Sequence, residues 1–108
     1  MQVTVTVNTG NNPAVTCNPN PVPATKGTST NIQWNIPSGY TYFQLNDLPS
    51  NVFSSPSHGQ NNVSVTDNGT EGTYSYDLVL KDSAGHQYHS QQQSNKRGTG
   101  GGTTIRNN

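Results

Sequence analysis

Residues 2–9 read Gln-Val-Thr-Val-Thr-Val-Asn-Thr. Val3, Val5 and Val7 therefore fall on one face of an extended chain, and Thr4, Thr6 and Asn8 on the other. Strict period two is the pattern of a half-buried β-strand. A helix would repeat its apolar residues at i, i+3, i+4 and i+7. The alternation returns at residues 31–36, where Ile32, Trp34 and Ile36 share a face. It returns again at residues 73–81, where Tyr74, Tyr76, Leu78 and Leu80 point inward. Val79 interrupts the polar side of that last segment and calls for a covering neighbour. The apolar residues are mostly β-branched or aromatic, which suits strands. No stretch carries the helical period, and seven Pro and eleven Gly are spread along the chain. Helix content is expected to be near zero.

Composition tests whether such a chain folds. Leu, Ile, Val and Phe make up about 17% of 108 residues, below the ~20% that accompanies disorder when net charge is also high. The net charge is +0, so the second condition fails, and the patterning supplies a core. One domain is the limit at this length. Five basic residues against five acidic ones exclude a strongly basic nucleic-acid binder, which needs many phosphate contacts. No apolar run reaches the length of a bilayer span, so no membrane partner is expected. No apolar segment follows Met1, so a secretory signal is not expected. That favours the cytoplasm by default, although the Asn-, Thr- and Ser-rich surface is more like that of exported domains. The one cysteine, Cys17, cannot form an internal disulfide.

Turn signals divide the chain. After the first strand, residues 10–13 form a turn, and a short strand is expected at 14–17. Pro19, Pro21 and Pro23 remove ladder donors and favour an extended edge or a crossover. Strands follow at 28–36 and 40–45, the second with Phe43 and Leu45 opposite Tyr40 and Tyr42. Residues 46–61 are a long loop from which Val52 and Phe53 plug the core. A short strand at 62–66 turns at Asn68-Gly69, a pair that readily takes positive φ. The best strand, 72–81, turns at 82–85 into a partner near 86–93. About seven strands with turns every 8–12 residues argue for a single immunoglobulin-like antiparallel β-sandwich, all-β, over residues 1–93. Residues 94–108 differ. Gly100-Gly101-Gly102 is linker composition, and Thr103, Thr104 and Ile105 read as a terminal edge strand. That strand could return to its own sheet, add to the edge of another molecule, or fray.

Few residues carry chemistry. Glu71-Gly72-Thr73-Tyr74 has the acidic-x-x-Tyr form that opens strand F of immunoglobulin-like domains, where a corner tyrosine bonds back upstream. Tyr74 and Glu71 are thus fold devices. Tyr76 occupies the position of a disulfide cysteine, so Trp34 has no disulfide to pack on. His86 and His89 are three apart, hence on opposite strand faces, and do not share a metal. His58 and Cys17 stand apart, and the one Met is Met1, so neither a metal nor another cofactor is expected. Cys17 lacks the His and Asn setting of a nucleophile and reads as a small buried hydrophobe. Asp47, Asp67, Asp82 and Glu71 fall in turns. Asp77 is mid-strand on the polar face, solvated unless that face is covered. No catalytic residue is assigned. The sequons at Asn62 and Asn68 are no more frequent than chance allows, and Lys96-Arg97 is a lone basic pair.

The order of features has a parallel. The Val-Thr-Val-Thr-Val opening is followed by Gly27-Thr28-x-x-x-Ile32 and by Phe53-Ser54-Ser55-Pro56. Gly72-Thr73-x-x-Tyr76-x-Leu78-Val79-Leu80 and a short Ile-containing end complete the series. Together they resemble the small bacterial DP-EP family. The resemblance implies an immunoglobulin-like sandwich. It also implies the self-cleavage at an Asp-Pro bond near the C-terminus that at least some members show, after which the released segment stays in place as a strand and the new Asp end can become linked to a Lys. The chain departs from that pattern. It has no Asp-Pro, and Ser75 stands where the linking Lys is expected; Lys81 and Lys96 match neither position.

The expected function is therefore a non-enzymatic structural or interaction module. It would assemble with itself or with a protein partner by β-strand addition. The alternatives are a self-processing DP-EP-like protein and a glycan-binding module using Trp34 or the tyrosines.

Overall fold

A computed structural model describes residues 1–93 and 102–108. The described residues are all-β, with ten strands. In order these are β1 (Gln2–Val7), β2 (Val15–Asn18), β3 (Val22–Ala24), β4 (Thr30–Asn35) and β5 (Tyr40–Asn46). Then come β6 (Ser57–His58), β7 (Asn62–Asp67), β8 (Gly72–Asp82), β9 (Gln87–His89) and β10 (Thr103–Asn107). One sheet has the order β2-β1-β4-β7-β6 and the other β3-β10-β8-β5, with β9 also on β8. The strands β4, β7 and β6 take the places of B, E and D in an immunoglobulin sandwich; β5, β8 and β10 take those of C, F and G. The count exceeds the expected seven because the proline segment contributes β3, the 46–61 loop contributes β6, and the last strand is divided. Most pairings are antiparallel, but β1 lies parallel to β4 and β10 parallel to β3.

Between the sheets lie Val3, Val5, Val22, Ile32, Trp34, Ile36, Val63, Val65, Tyr76, Leu78, Leu80 and Ile105, joined by Val52 and Phe53 from the long loop. The period-two residues are thus the core. Trp34 and Tyr76 are fully buried and face each other across the sandwich, ring centroids 5.2 Å apart and edge-on. The indole N–H donates to the Tyr76 hydroxyl at 3.0 Å. This bond joins strands B and F where an antibody domain has its disulfide. The Tyr76 hydroxyl also hydrogen-bonds to the Cys17 thiol, and burial pushes that thiol up to about 11.

The corner tyrosine is in place: the Tyr74 hydroxyl donates to the carbonyls of Thr70 (2.9 Å) and Glu71 (3.2 Å). Glu71 adds an ion pair with Lys26 at 3.6 Å, both side chains exposed, so its contribution is small. The turn before it depends on Gly69, whose φ is +84°. A Cβ there would meet the Thr28 backbone at 2.7 Å, so glycine is required.

Two expectations about faces need correction. A β-bulge shifts the register between Tyr42 and Gln44. Leu45 therefore packs on the core together with Tyr40 and Tyr42, while Phe43 lies outside under the Lys81 ammonium, 4.0 Å from its ring centroid. A bulge inserts one residue and flips the alternation. The outer face of β8 is covered, so Asp77 is not solvated but 9% exposed, while Val79, at 0%, has the covering neighbours its place called for. Val79 lies in register between Gln44 and His89.

Candidate functional site

The feature that sets this sandwich apart is its last strand. β9 and β10 flank the same side of β8, one after the other. His89 pairs with Val79, and the Ser90 N–H donates to the Leu78 carbonyl at 3.0 Å. Thr103 then pairs with Tyr76 and continues the same ladder. The ladder therefore advances by a short step while the chain travels from Gln91 to Gly102. The expected Gly-rich linker falls largely at residues 94–101, outside the described residues.

The step itself is closed by side chains. The Leu78 N–H donates to Ser90 Oγ at 2.8 Å, Ser90 Oγ lies 2.8 Å from Thr103 Oγ1, and Thr103 Oγ1 donates to the Tyr76 carbonyl at 2.8 Å. Because the Thr103 proton is taken by the carbonyl, Ser90 is the donor between the two hydroxyls. The Gln91 carboxamide donates to the carbonyls of Tyr76 (2.6 Å) and Thr103 (3.0 Å). It occupies the space a side chain on residue 102 would need, so a larger residue there would displace the Gln91 carboxamide.

Beyond the step, β10 occupies a slot between β3 and β8 and is not the edge strand expected at Thr103, Thr104 and Ile105. Its burial alternates: Thr103, Ile105 and Asn107 are buried, with Thr104 and Arg106 outward. Asn20 grips its start, accepting from the Thr104 N–H at 3.0 Å and donating to the Gly102 carbonyl at 3.1 Å. At its end the Asn107 carboxamide donates to Asp67 Oδ1 and to the Thr70 carbonyl, each at 2.8 Å. Asp67 Oδ2 and Asn107 Oδ1 are buried there and find no donor among the described residues. The Asn108 N–H closes the slot on the Ala24 carbonyl at 3.0 Å.

A second constellation lies on the outer face of β8. Asp77 Oδ2 is 2.8 Å from His89 Nδ1, and Asp77 Oδ1 accepts the backbone N–H groups of Ser90 (3.1 Å) and Gln91 (3.2 Å). The buried carboxylate, held by backbone donors, fixes the imidazole with Nδ1 as donor and leaves Nε2 as the remaining nitrogen. Sequence reasoning singled out Asp77 but did not join it to His89. The hairpin turn at residues 82–86 was the available signal, since its register puts the two on one face. His86 instead bonds Asp82 in the turn at 3.2 Å, and His58 stacks on Tyr42, centroids 4.9 Å apart. Among the described residues no three His, Cys, Asp or Glu side chains come together.

The chain matches no protein-family model and no curated protein.

Proposed function

We propose that this is a non-enzymatic β-sandwich module that works by assembly, in which β10 of one copy fills the slot between β3 and β8 of another. The observation that carries this is the divided strand. The connection from Gln91 to Gly102 is far longer than the short step along β8 that it has to bridge. β10 therefore behaves as an extended peptide docked beside its own body, with Ile105 as its anchor. Strand addition of this kind takes affinity from main-chain hydrogen bonds and specificity from alternate side-chain pockets. Exchange of an identical element costs little, because the contacts made are those given up. The surface offers no competing apolar patch, since Met1 is the single large hydrophobic residue that is exposed among those described.

Light scattering tests this on the full chain refolded at high and at low concentration. Dimers or larger species from the concentrated sample, absent for Ile105→Asp, are expected. A monomeric mass throughout, with no partner pulled down, overturns it. The same docked strand also supports a self-processing role of the DP-EP kind, against which stands the absence of Asp-Pro. Intact-mass spectrometry separates the two: a single species at the sequence mass removes cleavage, and no loss of water removes a Lys–Asp link.

A further inference from the structure

We propose that the cleft beside the Asp77–His89 pair is a binding site for a neutral saccharide. The cleft is shallow and open to solvent, with a volume of about 60 Å³, and lies between the turn after β1 and strand β9. It is lined by Thr9, Asn11, Asn12, Gln87, Tyr88 and His89, with Ala14 and Gln93 at its sides. The lining has no Lys, Arg, Asp or Glu, so nothing there neutralises a charged ligand. It has too little apolar surface for a lipid or a flat aromatic molecule, which bind in predominantly apolar pockets. What it offers is carboxamides, hydroxyls and one imidazole, groups that donate and accept side by side. Sugar hydroxyls have the same dual character.

The lining is built rather than incidental. Asn12 is 6% exposed, and its carboxamide clamps the Gln93 backbone, accepting from N–H at 2.8 Å and donating to C=O at 3.1 Å. This ties the β1–β2 turn to the chain after β9 and holds the two walls together. The buried carboxylate of Asp77 orients His89, which keeps 25% of its side chain accessible. Its Nε2 is then held in place to hydrogen-bond a ligand hydroxyl, and the exposed Asn11, Gln87 and Thr9 supply the rest. Fixed polar groups lose little freedom on binding, which is what lets a shallow site hold a small ligand. Trp34 takes no part, being wholly buried; Tyr88 is the aromatic residue at the site.

The test is an NMR titration of the full chain with glucose, galactose, mannose and N-acetylglucosamine at millimolar concentrations. Saturable shifts confined to residues 9–14 and 87–93 are expected for at least one sugar. His89→Ala should weaken binding about tenfold, the size of one hydrogen bond to a polar ligand. The double variant Asn11→Ala, Gln87→Ala changes only exposed side chains and should weaken it likewise with the fold intact. No saturable shift with any sugar overturns the proposal, as do shifts elsewhere in the chain or equal affinity in both variants. A response of the same residues to zinc chloride alone, with none to sugar, also overturns it, in favour of a metal. The light-scattering mass bears on β10 and leaves this site untouched, so the two proposals fail separately.

Discussion

Tyr76 and Asp77 are consecutive residues of one strand and lead opposite lives. Tyr76 points into the sandwich and meets Trp34 and Cys17, where its single hydroxyl is matched to an indole N–H in a space closed to water. Asp77 points outward, yet it is almost as well buried. Its three hydrogen bonds are made with a hairpin that folds over it, and its histidine partner stays in touch with solvent. On the inner face, burial is the driving force and the polar atoms must be matched to permit it. On the outer face, the polar network is what produces the burial. Removing an apolar ring should therefore hurt most inside, and removing a charge should hurt most outside.

Four measurements bear on that contrast. The largest effect is expected for Trp34→Ala, about 3–5 kcal/mol of lost stability in urea unfolding, the usual cost of deleting a buried aromatic. A loss near 1 kcal/mol would show that the inner face does not hold the sheets together. Next comes Asp77→Ala, which strands two backbone N–H groups and the His89 ring; about 2–3 kcal/mol is expected. Asp77→Asn should cost less, because one acceptor survives, and equal losses for the two would deny the carboxylate its role. Tyr76→Phe keeps the ring and removes the acceptor of the Trp34 N–H, for about 1–2 kcal/mol. The smallest effect concerns Cys17. Burial raises its pKa from 9.0 to about 11, so the folded state holds the thiol proton more tightly than the unfolded one. The stability linked to that thiol is full below pH 9 and is lost as the pH rises toward 11. Cys17→Ser should flatten this alkaline limb, and in native protein at pH 8 alkylation of Cys17 should be far slower than in urea.

The inner face was legible in the sequence and the outer face was not. Val3, Val5, Ile32, Trp34, Tyr76, Leu78 and Leu80 announce themselves by period two, because one wall of a sandwich needs every second residue. Tyr74 was legible for a different reason, since its hydroxyl partners lie three and four residues upstream. Phe43 and Leu45 defeated the same reasoning: one inserted residue reverses the alternation, and nothing local marks a bulge that lacks glycine. Asp77 looked solvated because its cover comes from a hairpin whose register is a tertiary fact; Val79 called for a cover, but nothing local named the strands that supply it. β10 was readable as a strand from Thr103, Thr104 and Ile105. Its position inside the sheet depended on β3, a segment whose prolines argued for an edge. That segment is indeed an edge, and it shelters β10 behind it.

The bond from Trp34 to Tyr76 stands where related architectures place two cysteines, and it consists of a hydrogen bond and two rings. Nothing in it can be reduced, and nothing in it has to be oxidised for the sheets to close. The one thiol lies beside that bond, buried, with its proton held more firmly than in a free cysteine, and so stays out of exchange with other thiols. The fold is therefore indifferent to redox potential: the same sandwich closes in glutathione-rich and in oxidising surroundings, without a catalyst to pair its sulfurs.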